Sequence, residues 1–367
     1  MFLRKINVTN FKNYESQELV FSERLNCLTG PNGAGKTNIL DAIYYLCMCK
    51  SYTSGQDKNV VKQNETFFRL VGNFEISDKK SEIVFKVQPG KKKEVLKNES
   101  NYDKITEHVG SFPVVMIAPD DTALATEGSE ARRRFLDNTL SQLDAEYLDN
   151  LLIYNRLIDQ RNAALKQFFV QNNFSSELLE SYDERLVPLG IFLFQKRVEF
   201  FELFYPVFQK FYRFISLEAD VVELSYESKL KNQHFATLLK QNISKDRVLQ
   251  RTSVGIHKDD LIFEIKEMPI KKFASQGQLK SFILALKLAQ FELLKNKKNI
   301  FPILLLDDIF DKLDEIRVHR LLALLNEQGF GQVFLTDTHN ERIQLIIKDL
   351  HCESKIFYVE NSTIKLQ

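Results

Sequence analysis

The chain has 367 residues, 44% of them hydrophobic and 27% charged, and 50 Lys and Arg against 49 Asp and Glu leave a formal net charge of +1. Such a length buries a sizeable core and suits two lobes, and the composition excludes a disordered or collagen-like chain. Near-neutrality also excludes holding a polyanion by overall attraction, so any nucleic-acid partner needs a local basic patch.

Cys27, Cys47, Cys49 and Cys352 show no C-x-x-C spacing. Neither zinc nor a disulfide framework is expected, and a reducing cytoplasm is the expected compartment. Met1-Phe2-Leu3-Arg4-Lys5 carries no apolar signal region, and no run approaches the ~18 apolar residues of a spanning helix, so no membrane contact is expected. Thirty Phe and no Trp predict Phe-rich cores.

Phe2 to Val8 and Glu18 to Phe21 alternate as strands do, and Asn26 to Thr29 reads as a short strand. That strand runs into Gly30-Pro31-Asn32-Gly33-Ala34-Gly35-Lys36-Thr37, which fits the phosphate-loop pattern G-x-x-x-x-G-K-[ST]. Asn38 to Met48 reads as the helix leaving it. Glycines let backbone N–H groups converge on phosphate oxygens, and the helix N-terminus adds its positive dipole end. Lys36 would reach the β- and γ-phosphates of ATP, and Thr37 would ligate Mg²⁺.

Residues 66–100 read as a small antiparallel sheet containing Phe67 to Val71 and Ile83 to Val87, with Lys91-Lys92-Lys93 as a solvated hairpin tip. Val114 to Ala118 is a buried-type strand ending at Pro119. From residue 119 to 247 glycine almost disappears and helical patterns take over, over Arg132 to Asp144, Tyr147 to Phe169, and Glu180 to Phe214 with breaks near Pro188 and Pro206. The expected division is an ATPase lobe of residues 1–118 and 248–367 with an inserted helical lobe of residues 119–247. No heptad persists long enough for an extended coiled coil. Strands resume at Leu261 to Ile265.

Ala274-Ser275-Gln276-Gly277-Gln278 then opens a helix whose apolar face is Leu279, Phe282, Ile283, Leu286, Ala289 and Leu293. Ser275 suits an N-cap, and Gly277 leaves room for a ligand at the first turn. A chain needs one phosphate loop for its own nucleotide, so this second anion site reads as one offered to another subunit's nucleotide. Ile303 to Leu306 is an all-apolar strand ending in Asp307-Asp308. Asp307 would hold Mg²⁺, and Asp308 would position and deprotonate the attacking water. Leu313-Asp314 follows.

This order of motifs resembles the ATP-binding-cassette class of ATPases, SMC-type heads included, in which two heads sandwich two ATPs and each supplies its Ser-Gly segment in trans. In that class Asp314 would lie in the loop coupling the two sites. The whole chain is also similar to the RecF family of bacterial recombination mediators. The similarity rests on Asn10 to Tyr14, Asn38 to Ile43, Ala118 to Asp121, Arg132 to Asp137, Gln160-Arg161-Asn162, Gly255 to Leu261, Ser275 to Gln278 and Leu306 to Asp308. Departures are Asp41 for the family's Glu, Ile256 for Pro and Lys258 for Arg. Thr336-Asp337-Thr338-His339 does not align its histidine with a transporter switch, and no glutamine stands near Pro119-Asp120.

The resemblance implies an α/β fold, an ABC-type head with a mixed sheet core and an antiparallel β subdomain, carrying the inserted helical lobe. It implies an ATP-dependent homodimer that binds single-stranded DNA and single-strand/double-strand junctions. Also implied are work with RecR and RecO to load RecA on gapped DNA, fork recovery, the SOS response and a weak DNA-stimulated ATPase. The residues by themselves reach only an ATP-gated dimerising switch. The alternatives are a scaffold whose nucleotide is structural and, disfavoured by Ser275 to Gln278 and the distant Asp307, a small-molecule kinase. Three successive arginines cannot share one helix face, so Arg132-Arg133-Arg134 is read as salt bridges. Lys91 to Lys97 and Lys271-Lys272 are read as possible phosphate contacts, and His257 with Asp259 and Asp260 as a turn, not a metal cluster.

Overall fold

A computed structural model describes residues 1–216, 221–310, 315–327 and 329–367. Apolar alternation builds its first strands. In β1 (Phe2–Phe11) Leu3, Ile6, Val8 and Phe11 are buried, and β2 (Tyr14–Val20) returns antiparallel with Lys5 opposite Val20. β3 (Leu25–Thr29) is buried at every position and leads to α1 (Lys36–Met48). The helix starts at Lys36, ahead of the expected Asn38, so Lys36 and Thr37 belong to its first turn. β4 (Phe68–Ile76), β5 (Lys79–Val87), β6 (Glu94–Lys97) and β7 (Ser100–Asn101) complete an antiparallel sheet in the order β2-β1-β4-β5-β6-β7. β8 (Val114–Ile117) belongs to a second sheet.

Helices follow: α2 (Ala123–Thr126), α3 (Ser129–Leu143), α4 (Ala145–Gln171) and α5 (Ser176–Ser216). The Asp144 carboxylate accepts from the Tyr147 N–H and caps α4. α5 runs 41 residues straight through Pro188 and Pro206, where breaks were expected. An interior proline costs about 3 kcal/mol. The buried stripe of Leu186, Leu193, Phe200, Phe204, Phe208 and Phe211 outweighs two such losses at about 1.5–3 kcal/mol per side chain. β9 (Val222–Glu227), α6 (Phe235–Gln241), α7 (Ile243–Leu249), β10 (Asp260–Ile265), β11 (Met268–Pro269) and α8 (Ile270–Phe273) come next. Their strands form an antiparallel sheet, β11-β10-β9, with Asp260 opposite Glu227.

The remaining elements are α9 (Gln276–Lys298), β12 (Ile303–Leu306), α10 (Glu315–Glu327), β13 (Val333–Asp337), α11 (Asn340–Leu350), β14 (Ser354–Glu360) and β15 (Thr363–Leu366). The second sheet has the order β15-β14-β3-β13-β12-β8, parallel throughout except for the edge strand β15. This is a mixed-sheet core beside an antiparallel sheet.

The chain divides into two compact units. One comprises Met1–Asp121, Lys210–Glu218 and Gln276–Gln367, the other Thr122–Gln209 and Ala219–Ser275. The expected lobe boundary at residue 247 is therefore displaced to Ser275. The physical reason is the pairing of β9 with β10, which holds residues 260–265 in the second unit and gives that unit a sheet as well as helices.

Buried ion pairs organise the second unit. Arg161 is fully buried, with Nε donating to Asp183 at 2.7 Å and Nη1 to Asp246 and Thr252 at 2.8 and 3.0 Å. Arg197 donates to Tyr147, Asp137, Asp259 and the Ile256 carbonyl. The arginine triplet is likewise engaged. Arg132 makes two bonds to Asp260, Arg133 donates to the Asp259 carbonyl, and Arg134 pairs with Glu130. His257 bonds Tyr154 and the Thr252 carbonyl, and burial lowers its pKa to about 4, which suits a structural turn. Arg161→Ala would leave Asp246 a buried carboxylate without its cation. It should cost about 3–5 kcal/mol in urea unfolding, whereas a surface pair would cost under ~1 kcal/mol.

Candidate nucleotide-binding site

The loop between β3 and α1 has the backbone its glycines permit. Gly30, Gly33 and Gly35 lie at φ of 144°, 78° and 113°. At Gly30 a Cβ would also come within 2.1 Å of the Val359 carbonyl oxygen. Lys36 is buried, and its Nζ donates to the carbonyls of Gly30 at 2.8 Å and Pro31 at 3.1 Å, folding the ammonium back over the loop. The Asn13 amide donates to the Ala34 carbonyl and accepts from Asn38, and the Tyr14 hydroxyl donates to the Gly35 carbonyl.

Register brings the carboxylates to this loop. β12 pairs with β13 and β13 with β3, so the C-terminal ends of all three strands lie together. The Thr37 hydroxyl reaches the Asp307 carboxylate, 270 residues away, at 2.9 and 3.0 Å to its two oxygens. The intervening strand contributes Thr336. Its hydroxyl donates to Asp307 Oδ1 at 2.8 Å and accepts the Asp308 backbone N–H at 2.9 Å. Asp308 is held at a φ of 44°, a left-handed conformation that costs a non-glycine residue about 1–3 kcal/mol and so marks an over-determined position. Burial pushes the Asp307 pKa up, and the Thr336 and Thr37 hydrogen bonds oppose this.

Three comparisons with known proteins bear on these residues. The family described as RecF/RecN/SMC N terminal domain matches residues 2–365. A DNA replication and repair protein RecF of Flavobacterium johnsoniae is 47% identical over 357 residues, spanning 97% of this chain and 99% of that one. Its counterpart in Phocaeicola vulgatus is 42% identical over 366 residues, spanning 99% and 98%.

The chain belongs to the RecF family.

A solved structure of the recombination mediator RecF with ATP, from the RecFOR pathway, is similar at a TM-score of 0.88 and 28% identity, with 100% and 97% of the two chains covered. The Smc head domain of Pyrococcus furiosus shares the fold at a TM-score of 0.55 and 16% identity. The RecF-family chain thus has the ABC-type head expected from its motifs.

The structure brings Gly30 to Thr37, Asp307 and Asp308 together. Ser275 directly precedes α9, and Gly277 and Gln278 lie in that helix's first turn. Gly277 faces Arg317 of α10, whose guanidinium is 3.1 Å from where a Cβ would stand and whose Nε donates to the Ser281 hydroxyl at 2.6 Å. Leu313 and Asp314 lie outside the described residues. Lys93 is not a solvated hairpin tip, because its Nζ donates to the Cys49 carbonyl and pairs with Asp57, while Lys91 and Lys92 are exposed.

Several supporting groups had no role assigned from sequence. Thr336 is one, expected in the loop after a strand ending at Leu335 and found within β13. Asp41 is another, fully buried and paired with Lys12 at 2.6 Å, and it accepts from Ser51 and the Tyr52 N–H. After β8, where no glutamine was found, Asp121 accepts from the Ala118 N–H, the Tyr52 hydroxyl and Lys287 of α9. The only advance signal for Lys12, Asp41 and Asp121 was membership in the family-like segments at 10–14, 38–43 and 118–121, and Thr336, Tyr52 and Lys287 lie outside those segments.

The residues suit Mg²⁺-ATP. Three positive-φ glycines line the loop, and a hydroxyl beside a carboxylate is the hard-oxygen pair Mg²⁺ takes. Because the Asp307 pKa is raised on folding, its stabilising contribution exists at low pH and is lost as pH rises through the folded value. Asp307→Asn should therefore raise the melting temperature of the nucleotide-free protein at neutral pH, with the gain shrinking toward acid pH. It should also abolish the Mg²⁺ dependence of ATP binding. A lowered melting temperature at neutral pH would contradict this.

Proposed function

We propose that this chain is an ATP-gated switch that dimerises head to head, hydrolyses ATP slowly with stimulation by DNA, and acts in the cytoplasm on single-stranded and gapped DNA junctions. In this reading it works with RecR and RecO to load RecA in recombinational repair, fork recovery and the SOS response. Membership in the RecF family supports the DNA repair setting, and the RecFOR setting is that of a solved relative.

The observation that carries the reading is the Thr37–Asp307 contact with Asp308 held beside it by Thr336. Mg²⁺-ATP, when bound, supplies the phosphoanhydride bond and the charge that fixes its phosphates. Gly30 to Gly35 give the backbone donors of the cradle, and Lys36 turns from the Gly30 and Pro31 carbonyls to the β- and γ-phosphates. Thr37 and Asp307 hold the metal. Asp308, half-exposed, orients the attacking water and takes its proton. Ser275, Gly277 and Gln278 present a helix N-terminus, a site for the γ-phosphate of a partner copy's nucleotide, with Asp314 in the loop coupling the two sites.

Sedimentation with Mg²⁺-ATP, with and without gapped duplex DNA, tests this. Wild type should dimerise on ATP and hold DNA as the dimer, while Lys36→Met and Ser275→Arg should both stay monomeric. A wild type that is saturated with ATP yet monomeric would remove the trans role of Ser275 and leave the structural-nucleotide scaffold.

A further inference from the structure

Within the second unit, charge is segregated by element. Between Lys229 and Lys258 the chain carries seven lysines and arginines and one carboxylate. Lys229 and Lys231 precede α6, Lys240 is on its last turn, Lys245 and Arg247 lie on α7, Arg251 follows it, and Lys258 lies on the turn before β10; all seven are exposed. The one carboxylate, Asp246, is fully buried and already paired with Arg161. The acids that follow, Asp259 and Asp260, are taken by Arg197 and Arg132. Among the described residues none of the seven cations lies in an ion pair with a carboxylate. In a chain of net charge +1 this is a local concentration of cations without ion-pair partners among the described residues.

The chemistry of the segment points to one kind of partner. Its exposed polar residues, Asn232, Gln233, Gln241 and Ser244, are hydrogen-bond donors. Its single Phe, Tyr or Trp is Phe235, which is 1% exposed and lies against Gly190. Single-strand binding depends on aromatic platforms on which bases stack, and here the neighbouring Phe174 ring is covered by Arg247 at 4.2 Å and only the small ring of His234 is exposed. Phosphate-backbone binding needs only cations and donors. Like-charge crowding is also felt within the cluster, where burial and then Arg251 and Arg133 lower the Lys258 pKa. An anion arriving there would relieve that repulsion.

We propose that the α6–α7 segment, Lys229 to Lys258, is a duplex-DNA face that grips the sugar–phosphate backbone without reading bases. It would hold the double-stranded side of a junction. The inference rests on the preceding reading that the partner is DNA.

The test is fluorescence anisotropy of a labelled blunt duplex with full-length protein and Mg²⁺-ATP across a salt series, with unlabelled single strands as competitor. The variant carries Lys240→Gln, Lys245→Gln, Arg251→Gln and Lys258→Gln, and a control carries Lys79→Gln and Lys80→Gln, both exposed. The slope of log K against log salt should fall by about 3 to 4 in the variant, at about 0.9 for each phosphate no longer neutralised. It should stay unchanged in the control, and restoring the charges as Arg should restore it. ATP binding and the melting temperature should match wild type, because the altered side chains are exposed. An unchanged slope, as would follow if the exposed Val248 and Leu249 marked a protein-docking face instead, would overturn the proposal while leaving DNA binding intact. Tighter binding of single strands than duplex, lost in the variant, would overturn the duplex assignment. A wild type that binds neither form would overturn this proposal and the DNA role together.

Discussion

A hydroxyl on α1 and a carboxylate at the end of β12 meet across 270 residues of chain, and the candidate site depends on that meeting. The contact is a consequence of sheet register. Leu306 of β12 is level with Leu335 of β13, and Leu335 with Cys27 of β3, so Asp307, one residue past β12, comes beside Thr336 within β13, and the loop follows Thr29 at the end of β3. A register slip of one residue would turn every side chain of β12 to the opposite face. The all-apolar interior of Ile303 to Leu306, each fully buried, holds the strand in place while its polar end reaches the site.

Behind that contact lies a chain of buried polar groups whose energetic weight differs from that of the surface. Lys12 meets Asp41, Asp41 holds the Tyr52 backbone, and the Tyr52 hydroxyl and Lys287 both reach Asp121. These groups link β1, α1, the end of β8 and α9. Lys287 is 4% exposed and also donates to the Met116 carbonyl, so its charge has no access to bulk water and is met entirely by protein. Breaking such a pair is worth about 3–5 kcal/mol. An exposed pair such as Lys5–Glu18 is worth about 0–1 kcal/mol, so the buried set, not the surface pairs, ties α9 to β8 through Lys287.

Local patterns were legible in the sequence, and tertiary exceptions were not. The phosphate loop and Asp307-Asp308 could be read because glycine geometry and an apolar strand with a charged end are properties of neighbouring residues. The uninterrupted α5 was missed because proline's cost is local while the burial that outweighs it comes from the whole stripe. The lobe boundary was misplaced because the β9–β10 pairing joins residues that local pattern cannot associate. Thr336 and Lys287 had no role for the same reason: the first looks like the start of a loop after a strand and the second like a solvated lysine in an apolar helix. The arginine triplet was read correctly as internal pairing because one helix face cannot hold three consecutive side chains.

In the proposed function the working nucleotide site is assembled from two copies, the loop and carboxylates of one with the Ser275 segment of the other. Mixing Lys36→Met protein with Ser275→Arg protein tests it most directly. Each protein alone should hydrolyse no ATP. In a mixed pair the Ser275→Arg copy offers an intact loop and the Lys36→Met copy an intact Ser275, so one complete site forms. Since neither protein pairs with itself, mixing should restore hydrolysis through mixed dimers that hold one complete site of two, up to about half the wild-type rate. A mixture as inactive as its parts, or a Ser275→Arg protein that hydrolyses ATP unaided, would contradict a site shared between copies.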